Sequence, residues 1–145
     1  MSYELEDCLK RKKLYQFPTA KKLVQKELKA AEDDLKDAKE SLSRDSYKWA
    51  TTQGYYAMFH AARGLVYSLG YREKSHYCLE VALEAFFVEK GLLEKEIVDS
   101  FGMARDLREN ADYRTDFSKE GAEEVILYRS AEILIQKASN LLKAK

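Results

Sequence analysis

The residues best suited to chemistry lie in YYAMFHAARGLVYSLGYREKSH, Tyr55 to His76. Tyr56, His60, Arg63 and Tyr67 recur at i, i+4, i+7 and i+11, so they share one stripe of a helix. Tyr55, Phe59, Ala62, Val66 and Leu69 form a second, apolar stripe about 100° away. The apolar stripe is core. The other carries hydrogen-bonding and titratable groups on a helix too hydrophobic to lie wholly at the surface. Such groups need partners, either inside the protein or in a ligand. Arg72, Lys74 and His76 follow, so both histidines of the chain fall in or beside this element.

A second cluster is Ala104-Arg105-Asp106-Leu107-Arg108-Glu109-Asn110-Ala111-Asp112-Tyr113-Arg114. Arg108 is seven residues beyond Phe101 and continues an inward stripe; Arg105 is one turn earlier. Two readings fit. Arg105 with Glu109 and Arg108 with Asp112 have i,i+4 spacing, as ion pairs at a helix end do. Alternatively, an inward Arg108 meets an anion, because a guanidinium fork matches phosphate. Arg63 and Arg108 sit on different helices but would converge on one cleft if those helices pack together.

Other chemistry is excluded by pattern. The glycines are dispersed and form no phosphate-cradling loop. No serine sits in a nucleophile-elbow pattern, and neither histidine is paired with a nucleophile. Cys8 and Cys78 match no zinc or redox spacing and are expected to be reduced thiols. No metal and no cofactor is expected. Asp33, Asp34 and Asp37 read as solvated charge on the outer side of a long helix, and Lys10-Arg11-Lys12-Lys13 as a solvated basic run.

The elements that position these residues are helical throughout. Length, 46% hydrophobic and 34% charged composition, one proline and six glycines suit one helical domain over residues 1–145. Twenty-five basic and 25 acidic side chains give a formal net charge of zero, so tight non-specific binding to duplex nucleic acid lacks global electrostatic support. A short helix is predicted for Tyr3 to Tyr15, with residues 1–16 as an N-terminal appendage, and Pro18 at a first helical turn. Val24, Leu28, Ala31, Leu35, Ala38 and Leu42 make the seam of a long second helix. Asp45 or Ser43 can cap the next, which ends at Gly70 in a left-handed cap.

Ser75 caps a fourth helix ending at Gly91, a fifth runs from about Leu93 to Asn110, and Ser118 starts the last. There is no strand-period segment. The expected fold is all-α, an antiparallel up-and-down bundle of four main helices plus short accessory helices. No signal peptide and no stretch of about 18 apolar residues is present, so a cytoplasmic location without membrane association is expected. Seams and hydrophobic content together also predict a homodimer.

GYYAMFHAARGLVYSLGYREKSH and ARDLRENADYR resemble the HEPN domain (higher eukaryotes and prokaryotes nucleotide-binding), and most nearly its small stand-alone UPF0332-type prokaryotic members. The resemblance covers roughly Ala30 to the C-terminus. It implies a helical bundle, often dimeric, and a frequent partnership with a minimal nucleotidyltransferase in toxin–antitoxin-like modules. It also implies two activities: metal-independent RNA cleavage by an Arg followed four to six residues later by His, or nucleotide and RNA binding without cleavage.

This chain departs from the nuclease pattern. Arg108 leads to Tyr113, Arg114 or Thr115 in that window, Arg105 leads to Asn110, Ala111 or Asp112, and no histidine follows His76. Arg108 can take the position of the family's catalytic arginine, with Asp112 as the other catalytic candidate. Without an imidazole there, proton transfer at a ribose 2′-OH loses its natural agent at neutral pH. The expected function is therefore a non-catalytic module holding a nucleotide or RNA phosphate, or docking a nucleotidyltransferase. A ribonuclease toxin with a degenerate site is the alternative. His60, Arg63, Lys74, His76, Arg105, Arg108 and Tyr113 are the expected binding residues.

Overall fold

The structure is a computed structural model and describes residues 2–109, 117–126 and 131–143. Its centre is α3 (Tyr47–Ser68), which is apolar nearly all round and contributes thirteen buried residues. A helix of that kind must be covered on several sides. It packs against α2 (Val24–Ser43), α4 (His76–Leu83), α5 (Lys95–Glu109), α6 (Lys119–Ile126) and α7 (Ala131–Lys143). The α2 seam is as expected: Val24, Leu28, Ala31 and Ala38 are buried against it. Gly54 of α3 lets α6 approach closely. A Cβ there would stand 2.9 Å from Val125 Cγ1 and 3.0 Å from Ile126 Cγ1.

The caps expected at three helix ends are formed. Ser75 Oγ accepts from the Cys78 amide at 3.0 Å, and Ser118 Oγ from the Gly121 amide at 3.0 Å. Gly70 takes φ +81° just past α3. After α4 the chain continues as a π-helical segment over Glu84–Val88, with a positive-φ Gly91 beyond.

Several expectations are corrected. α1 spans only Tyr3–Lys10. Lys12 turns left-handed at φ 57°, and Leu14–Gln16 becomes β1, pairing antiparallel with β2, Tyr71–Glu73. Three residues are too few to show an alternating period, which is why the sequence conceals this ribbon. Neither Asp45 nor Ser43 caps α3: Ser46 occupies the cap position without a side-chain bond, and Asp45 accepts from the Tyr47 hydroxyl at 3.0 Å. Leu69, assigned to the inner stripe, is 36% exposed because the helix has ended at Ser68.

The cysteines are not free. Cys8 and Cys78 form a disulfide with Cα atoms 5.8 Å apart, because α1 lies across α4 despite 70 residues between them. No helix among the described residues is long and apolar enough to cross a membrane.

Candidate functional site

α3, the first turn of α4 and the last turn of α5 meet around His76. α3 contributes Tyr55, Tyr56, Phe59 and Arg63; the Ser75 cap fixes His76 at the start of α4; α5 presents Arg105 and Arg108. His76 lies against the Phe59 ring at 4.6 Å between centroids and against Tyr55 at 5.9 Å. Its Nδ1 is 2.6 Å from the Tyr55 hydroxyl. Burial pushes the Tyr55 pKa well up, so the phenol keeps its proton and donates it to Nδ1. The other ring nitrogen, Nε2, then carries the imidazole hydrogen. Burial lowers the His76 pKa, and Arg108, Arg63 and Arg105 lower it further against opposition from Glu109. His76 is thus a neutral donor in a positive field.

Each arginine is held differently. Arg108 Nη2 donates to the Tyr56 hydroxyl at 2.7 Å, and its guanidinium carbon lies 5.3 Å from the Tyr56 ring centre. Among the described residues it has no carboxylate partner. Arg105 Nη1 lies 2.6 Å from Glu80 Oε2. Burial raises the Glu80 pKa to about 7 although Arg105 opposes it. Arg105 reaches Glu109 only at 4.0 Å, so the expected i,i+4 pair is secondary to Glu80.

Arg63 turns the other way. Its Nε donates to Glu73 Oε2 at 3.0 Å, Nη1 lies 3.7 Å from Glu27, and the guanidinium covers the Phe59 ring at 4.5 Å. Glu73 is buried, which raises its pKa against the pull of Arg63.

The remaining sequence candidates separate. His60 faces α2, with Nδ1 at 2.5 Å from Glu27 and Nε2 at 3.6 Å from Asp34. Asp34 is therefore half-buried against α3 rather than solvated, and desolvation raises its pKa. Lys74 is exposed and reaches over the Tyr15 ring at 5.3 Å, on the ribbon side. Asp112 and Tyr113 lie outside the described residues. Arg105, Arg108 and His76 are the expected residues brought together, with Arg63 at the edge and its fork already occupied.

Glu80, Glu73, Glu27 and Tyr55 were missed as partners. Glu80 was legible, since it stands four residues after His76 on the same face of α4. Glu73 and Glu27 gave no signal, because their roles depend on a ribbon and on a helix pairing invisible to local pattern.

A neutral imidazole donor, a guanidinium without a carboxylate partner among the described residues and a half-buried tyrosine form a site for an anion beside a planar ring. No group of His, Cys, Asp and Glu among the described residues could hold a metal ion. The family model for the HEPN domain matches residues 24–145. This chain belongs to the HEPN domain family. The HEPN chain is 30% identical over 120 residues to a Methanocaldococcus jannaschii protein named "Putative toxin MJ0605", covering 83% of this chain and 89% of the relative. It is 32% identical over 115 residues to a UPF0332 protein of Archaeoglobus fulgidus, covering 78% and 90%. The match begins at Val24, so α1, β1 and the Pro18–Leu23 turn stand outside it, joined to the bundle by the ribbon and the disulfide.

Proposed function

We propose that this HEPN chain is a non-catalytic binding module that holds an RNA or nucleotide phosphate between Arg108 and His76. Its biological setting is a toxin–antitoxin-like pair in which a minimal nucleotidyltransferase docks on it. The observation that carries the reading is Arg108: its guanidinium is anchored by a phenol rather than neutralised by a carboxylate among the described residues. A fork held in this way keeps donors for a phosphate, and Tyr56 beneath it offers a face for a base. The relative named as a toxin supports the two-component setting.

A second reading is a metal-independent ribonuclease. It is favoured by one observation, the placement of the His76 imidazole beside the Arg108 charge although it comes from α4. Its lowered pKa keeps the imidazole neutral, and it acts as a base at Nδ1 once the Tyr55 hydroxyl has turned away.

Incubating purified chain with single-stranded RNA and a chelator separates the two. The expected result is retarded but intact RNA. Cleavage abolished by both Arg108→Ala and His76→Ala would replace the first reading with the second.

A further inference from the structure

Beside the Arg105–Glu80 pair, α4, its π-helical continuation and α5 line a groove of about 510 Å³, with Ser2 and Glu4 also on its wall. Its floor is apolar, made by Val81, Ala85 and Val98, and Tyr77 and Met103 stand at its edges, 49% and 61% exposed. Its rim is acidic: Glu4, Glu84, Glu89 and Asp99 surround the floor, with Glu80 below. A chain with zero net charge has concentrated one sign here.

Two cations already show what the rim accepts. Lys95 Nζ lies 3.1 Å from Glu84 and 3.6 Å from Asp99, and Arg105 sits on Glu80. Glu4 and Glu89 form no ion pair among the described residues.

We propose that this groove docks a cationic amphipathic helix of a partner protein, its apolar side chains on the Val81–Val98 floor and its lysines or arginines on Glu4 and Glu89. Charge complementarity selects the occupant. A nucleic acid would meet the carboxylates with phosphates. A second copy of this chain placed across a two-fold axis at the groove would set each Glu4 and Glu89 against acidic counterparts. An apolar floor with a charged rim is the layout of helix-in-groove recognition, and it does not depend on the phosphate site.

Fluorescence anisotropy of a labelled Leu/Lys amphipathic peptide against the full chain at low salt tests the assignment, with a Leu/Glu peptide and spermine as comparisons. The Leu/Lys peptide is expected to bind and the Leu/Glu peptide not to. Glu89→Lys and Met103→Ser, both at exposed positions, should each weaken binding about ten-fold. Failure of the Leu/Lys peptide to bind, or binding indifferent to both variants, would overturn the proposal. Displacement of the peptide by an equal concentration of spermine would do the same, since charge alone would then explain it.

Discussion

His76 and the arginines around it make different demands on pH and on substitution. The native pKa of His76 is lowered from 6.5, so between that lowered value and 6.5 the folded chain binds fewer protons than the unfolded one. Its contribution to stability is complete above this window and is lost as pH falls through it. Urea midpoints should therefore drop on acidification in the wild type, and less steeply in His76→Gln. A phosphate at Arg108 would reverse part of the shift. The imidazole resonances of His76 should accordingly titrate at higher pH with RNA present than without.

Arg63 and Arg108 are expected to part company. Arg63→Ala leaves buried Glu73 without its cation and should cost about 3 kcal/mol of stability, read by denaturant unfolding, while RNA affinity changes little. Both arginines had looked alike from sequence because helical spacing reports a face and not the partner waiting there.

Element identity and helix faces were largely legible, because they rest on local periodicity and caps. The seam from Val24 to Leu42, the Ser75 and Ser118 caps and the Gly70 stop all follow from residue types at fixed offsets. What stayed hidden was short or non-local: the ribbon that buries Glu73, the Cys8–Cys78 bond, and the turn of His60 toward α2. Gly54 illustrates the limit. In a helix interior, alanine is ordinarily worth about 1 kcal/mol over glycine. Here the added methyl would meet Val125 and Ile126, both buried on α6. Overpacking of that kind costs about 1–3 kcal/mol, so Gly54→Ala should lower the melting temperature rather than raise it.

Across the whole molecule, residues 2–23 lie outside the family match yet are built into the structure. The disulfide closes a long loop, and disulfides typically contribute roughly 2–4 kcal/mol of stabilisation. Cys8→Ser should reduce the unfolding free energy by that amount under non-reducing conditions, and wild type in reductant should approach the variant. Val24, Leu28 and Ala31 of α2 and Ile135, Ala138 and Leu142 of α7 pack into the core of one chain. A homodimer, proposed from those seams, has exposed apolar side chains to draw on: Tyr3, Met103 and Trp49 are 77%, 61% and 58% exposed.

Arg108 is the residue on which the proposed RNA-phosphate binding rests. Anisotropy of a labelled single-stranded RNA, titrated with wild type and Arg108→Ala at low salt in chelator, tests it most directly. Wild-type binding is expected to be saturable and to weaken as salt rises. Arg108→Ala should lose about 1.5–3 kcal/mol of binding, the scale of a hydrogen bond to a charged group. Absence of wild-type binding, or equal affinity for both proteins, would contradict it.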